Sequence, residues 1–122
     1  MGLKKRIWEL ADKYFNDIVD IRRHLHQYPE LSFREHETTR YIEEQLNKEG
    51  LNYTKPIDTG LTGLIRESNS NSGVVALRAD IDALPIHEKN TVAYTSKNPG
   101  IMHACGHDAH TASLIGAIKI LK

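Results

Sequence analysis

The hydrophobic period of this 122-residue sequence changes from helical to strand-like near Gly50, which limits the chain to a fold that packs helices on strands. Before the change, Ile7, Leu10, Tyr14, Ile18, Ile21, Leu25 and Tyr28 recur at steps of three and four, along one face of a helix. Pro29 ends that helix, because proline disfavours α geometry in the residue before it. Ser32-Phe33-Arg34-Glu35 then has capping-box spacing, with Ser32 and Glu35 satisfying free amides reciprocally. The helix it opens is expected to reach Glu49, with Gly50 as a left-handed terminator.

Past Gly50 the spacing predicts short strands over 51–57 and 61–67, separated by Asp58-Thr59-Gly60. Residues 68–73 read as a polar loop. The uninterrupted apolar run Val74-Val75-Ala76-Leu77 predicts a strand covered on both faces. Residues 86–102 carry the breakers Asn90, Asn98, Pro99 and Gly100 and read as irregular. Asp108 to Leu121 reads as an apolar helix. Helices alternating with strands indicate an α/β fold, and the length suits one domain.

Sixteen basic residues balance sixteen acidic ones, so there is no electrostatic footprint for nucleic acid or an anionic membrane. Cys105 is the single cysteine, which excludes an internal disulfide framework. Lys4-Lys5-Arg6 could begin a signal peptide, but Glu9, Asp12, Lys13 and Asp17 interrupt any apolar core. No run reaches the roughly 18–20 apolar residues of a membrane span. A cytoplasmic protein is the expectation.

The densest chemical signal is Met102-His103-Ala104-Cys105-Gly106-His107-Asp108-Ala109-His110, which holds three of the seven histidines and the only cysteine. Thiolate and imidazole are good zinc ligands. In an extended segment Cys105 and His107 project to one side. Gly106 permits a sharp turn, and Asp108 opens the next helix at its positive end. His103 and His110 read either as residues that orient ligands or as packing. A second constellation, Arg78-Ala79-Asp80-Ile81-Asp82, sets two carboxylates beyond the carboxyl end of the expected buried strand, where ligands bind in open α/β sheets. Its plainer reading is an Arg–Asp pair closing a turn before Pro85. His24 and His26, two apart on a helix, face different directions and read as a solvated helix end.

The segments "RRHLHQYPELSFREHETT", "LRADIDALPIHE" and "GIMHACGHDAHTASLIGA" together resemble the amidohydrolase branch of the aminoacylase/carboxypeptidase metallopeptidase superfamily. That branch includes hippurate hydrolase, indole-acetic-acid–amino-acid hydrolase and N-acetyldiaminopimelate deacetylase. The resemblance implies a zinc-peptidase-like catalytic domain, a mixed sheet flanked by helices, of which residues 1–122 would be the N-terminal part without the lid or dimerisation domain. It implies two divalent metal ions (Zn, Mn, Co or Ni) and hydrolysis of N-acyl amino acids. Matched position by position, Cys105 and His107 fall on metal ligands and Asp80 on an active-site aspartate. Asp82, His103, Asp108 and His110 would lie around them.

The resemblance also implies that the glutamate pair and two further histidine ligands lie beyond Lys122. The isolated chain is therefore expected to be inactive. Its apolar last helix would associate through exposed surface or with a complementing C-terminal part. The alternatives are a non-catalytic product with partial metal binding and a small thiol-redox or metal-binding domain around Cys105.

Overall fold

The computed structural model describes residues 2–66 and 73–122. In chain order the elements are α1 (Leu3–Gln27), α2 (His36–Lys48), β1 (Tyr53–Ile57), β2 (Gly60–Gly63) and α3 (His107–Leu121).

Helix α1 stops two residues short of Pro29, as the proline requires. Only the C-terminal half of its apolar face is covered. Ile21 and Leu25 pack with Ala112 and Ile115 of α3, flanked by Ile18 and Tyr41. Ile7, with Leu3, Trp8 and Phe15, stays exposed.

The capping-box expectation at Ser32 fails. Phe33 adopts φ +62°, a left-handed conformation incompatible with a helical first turn, so α2 begins only at His36. Glu30 takes over the capping. Its carboxylate accepts from the Thr38 amide at 2.6 Å, the Thr38 hydroxyl at 2.7 Å and the Glu37 amide at 3.2 Å. The other end closes as expected. Gly50, at φ +62°, donates to Asn47 O and Leu51 donates to Leu46 O, a Schellman arrangement. Leu51 then joins Ile42 and Leu46 in a second core with Leu61, Ile81 and Ile118 against it. Lys119 of α3 binds Glu49 at 2.6 Å and ties the two cores together.

Strands β1 and β2 form an antiparallel pair across the turn at Asp58-Thr59. The register runs Tyr53↔Gly63 and Thr54↔Thr62, then slips so that Ile57 faces Gly60. The slip spans Pro56, which has no amide to give the ladder. The expected strand ends, 51–52 and 64–66, are not paired as strand, and residue 67 lies outside the described residues, as do 68–72 of the polar loop.

The expectation of a strand covered on both faces at 74–77 is overturned. Val74 and Val75 are each 85% exposed, Leu77 is exposed, and none is in a strand. A short apolar run becomes a buried strand only when neighbours pair with it, and no described segment does. Mixed-sheet character survives in two isolated bridges: Leu31 pairs parallel with Ala83, and Leu84 antiparallel with Met102. These two bridges bring residues 80–84 and 102 together, and α3 follows directly. Residues 86–101 hold no helix or strand, as expected.

The last helix does not carry the expected apolar patch. Apart from Leu121, its large apolar residues are buried or half-buried, and exposed apolar surface collects instead at Ile57, Leu64, Ile65 and 74–77 and on α1. Among the described residues no helix is long and apolar enough to cross a membrane.

Candidate metal centre

The segment carrying Cys105 and His107 is not extended. The chain bends at Cys105-Gly106, Gly106 takes φ +110°, and His107 is already the first residue of α3. Two-residue alternation therefore does not relate the two side chains. A left-handed glycine at the helix entrance does. The Cys105 thiol is exposed.

His107 is oriented from outside its own helix. Its Nδ1 lies 2.9 Å from Asp82 Oδ1 and 3.0 Å from Asp82 O, both acceptors, so this nitrogen carries the proton and donates. Nε2 is then the ring nitrogen available to a metal, and a carboxylate behind a histidine is the usual way such ligands are held.

Asp80 behaves differently. It pairs with Arg78 at 2.6 Å, and this guanidinium, through hydrogen bond and charge, holds its carboxyl below the usual range; His107 and His110 add smaller pulls. The Arg–Asp pair of the plainer sequence reading is thus present, without the turn it was expected to close. The Asp80 carbonyl accepts from Thr111 Oγ1 at 3.1 Å, which binds this segment to α3. The His107 and His110 rings lie 6.2 Å apart, and His110 is exposed.

His103 is turned inward and buried, and neither ring nitrogen has a hydrogen-bond partner. Burial pushes its ring below the usual imidazole value, against the pull of the Asp108 carboxylate. Asp108 is 1% exposed and committed to structure. Its Oδ2 accepts from His26 Nδ1 at 2.7 Å and pairs with Arg22 Nε at 3.0 Å, and its Oδ1 accepts from the Ala109 amide. Among the described residues no group of three or more His, Cys, Asp or Glu side chains is arranged to hold a metal ion.

The sequence reading of His26 as a solvated helix end is wrong. It is 3% exposed, with Nε2 2.9 Å from Glu88 Oε1 and Nδ1 on Asp108. Burial pushes the Glu88 carboxyl upward, but bonds from His26, the Ser96 amide and Asn90 outweigh it and hold it down to about 2. The local signal available was the i, i+4 spacing of Arg22 and His26, which puts a guanidinium and an imidazole on one helix face. His24 is half-buried and stacks on Tyr41 with ring centroids 3.8 Å apart.

Residues 76–122 match the model of peptidase family M20/M25/M40. The chain is 49% identical to an N-acyl-L-amino acid amidohydrolase of Geobacillus stearothermophilus, over 96% of this chain and 32% of the relative. It is 53% identical to an N-acetyl-L-cysteine deacetylase of Bacillus subtilis, over 86% of this chain and 25% of the relative. A Bacillus subtilis crystal structure, described as a dinuclear metal-binding peptidase from the M20 family, superposes with a TM-score of 0.85 at 44% identity. That match covers 90% of this chain and 31% of the other. The chain thus spans about a third of the length of the curated relatives it matches. Its fold is that of the N-terminal part of such structures.

Proposed function

We propose that this chain, whose residues 76–122 match the model of peptidase family M20/M25/M40, contributes to a two-metal centre hydrolysing the amide bond of N-acyl amino acids. Cys105 and His107 are the ligands it supplies, and Asp80 works beside them. The observation that carries this reading is the double contact of Asp82 with His107 Nδ1, which leaves Nε2 as the donor. With an exposed thiolate-forming cysteine two residues away, the donor chemistry fits a divalent ion and leans towards zinc over Mn, Co or Ni. When bound, the metals supply Lewis-acid polarisation of the amide carbonyl and a water acidified towards neutrality.

In this scheme Asp82 orients the His107 ring, and Arg78, through hydrogen bond and charge, keeps Asp80 anionic. Two ligands are fewer than the three of an ordinary catalytic zinc. The chain alone is therefore a binding element, and turnover requires the complementing part. A cytoplasmic setting belongs to the same reading, since a reducing compartment keeps the single thiol free to ligate.

The test is a cobalt titration of the purified chain, with an assay on N-acetyl and N-benzoyl amino acids in Zn²⁺, Mn²⁺ and Co²⁺. A thiolate-to-cobalt absorption band lost in Cys105→Ala, with no turnover by the chain alone, is the expected result. A band indifferent to Cys105→Ala and His107→Ala overturns the ligand assignment. Metal-dependent turnover by the chain alone overturns the need for a complement.

A further inference from the structure

His26 stands 81 residues before His107 in sequence, yet its imidazole touches the residue next to that ligand. It is clasped between two carboxylates, Asp108 at 2.7 Å and Glu88 at 2.9 Å, all three side chains being at most 4% exposed. Each ring nitrogen thus lies within hydrogen-bond distance of a carboxylate oxygen. Arg22, one turn earlier on α1, reaches the same oxygen of Asp108. Glu88 in turn accepts from the Ser96 amide at 2.6 Å and from Asn90 at 3.1 Å. One imidazole thus links α1, the irregular stretch after Leu84, and the first turn of α3.

We infer that His26 is a positioning residue for the metal centre, holding the first turn of α3 at Asp108 so that His107 meets Asp82. The inference rests on the ligand role proposed for His107. Three observations carry it. The entrance to α3 is loose by construction, since Gly106 sits at φ +110° and has no side-chain cap. The turn is therefore steered from its two sides, by Asp82 on residue 107 and by His26 with Arg22 on residue 108. Charge-assisted hydrogen bonds are short and directional, whereas an apolar trio of similar volume would pack this contact without fixing its angle. Residues 86–101 also have no ladder of their own, and the Glu88 arm of His26 joins Lys97 N on Gln27 O and Asn98 Nδ2 on Pro29 O in fixing them to the end of α1.

The experiment compares His26→Gln with Ile21→Val, a core change on the same helix that leaves every polar contact in place. The first readout needs no metal: ¹⁵N NMR of the neutral His107 ring at about pH 8. The parent chain and Ile21→Val are expected to hold the proton on Nδ1, and His26→Gln to shift it towards Nε2. The second is cobalt affinity at a temperature where all variants are folded, expected to fall about ten-fold in His26→Gln and to stay put in Ile21→Val. Should His26→Gln not fold, Glu88→Gln, which weakens one arm only, replaces it with the same direction of change. A His107 tautomer in His26→Gln or Glu88→Gln identical to that of Ile21→Val overturns the inference. If the parent shows no Cys105-dependent cobalt band, the ligand reading has failed, and the tautomer readout still decides the role of His26.

Discussion

Asp82 grips His107 twice, accepting from Nδ1 through its carboxylate at 2.9 Å and through its own backbone carbonyl at 3.0 Å. The backbone contact survives any substitution at residue 82, so the side chain's share can be measured alone. Asp82→Ala is expected to weaken cobalt binding by about 10–100-fold, the usual cost of removing a partner behind a ligating histidine. Affinity equal to the parent would mean that the carbonyl suffices.

Asp108 is the most deeply buried charge of the clamp, and removing it leaves His26 Nδ1 and Arg22 Nε without their shared acceptor. Asp108→Ala is expected to lower unfolding stability by about 3–5 kcal/mol, as for other broken buried pairs. Urea denaturation of the two chains checks it. A loss below about 1 kcal/mol, the range of exposed pairs, would show that the network contributes little.

Glu88 makes stability depend on acid. Its hydrogen bonds hold its carboxyl down to about 2 in the folded chain against an ordinary 4.5, so folded Glu88 holds fewer protons than unfolded Glu88. Its contribution is therefore present above about pH 4.5 and drains away as pH falls towards 2. Urea midpoints measured across that window should drop more steeply in the parent than in Glu88→Gln. Parallel curves would refute the assignment.

Gly106 takes a backbone conformation that side chains rarely adopt, although the space around it is open. Gly106→Ala is expected to cost about 1–3 kcal/mol through backbone strain alone. Thermal melts test the cost, and a neutral effect would show that the helix entrance relaxes freely.

Val74 and Val75 leave bare apolar surface a few residues before the Arg78–Asp80 pair in sequence. Sedimentation of the chain is expected to show concentration-dependent association, reduced in Val74→Lys/Val75→Lys. Association unaltered by the double substitution would move the sticky surface to Trp8 and Phe15 of α1.

What could be read along the chain was whatever repeats or punctuates locally. The three helices, the hairpin, the Gly50 terminator and the irregular stretch after Pro85 follow from periodicity and breakers within a few residues. Ser32 failed as a cap for an equally local reason that composition hides. Phe33 turns left-handed, and the carboxylate of Glu30 reaches the free amides instead. The strand expected at 74–77 failed because strand formation is decided by neighbours, whereas an apolar run records only a preference for burial.

The cluster from His103 to His110 shows the same division. Residue types and spacing along one segment determined that this was the chemically charged part of the chain, since thiol, imidazole and carboxylate keep their affinities wherever they sit. Tertiary structure alone decided which member does what. His107 faces Asp82, His103 is buried without a partner, and Asp108 is spent on a histidine 82 residues away. Those assignments depend on direction over a few ångströms between distant segments, and the packing of α1 and of residues 80–84 against α3 sets that direction.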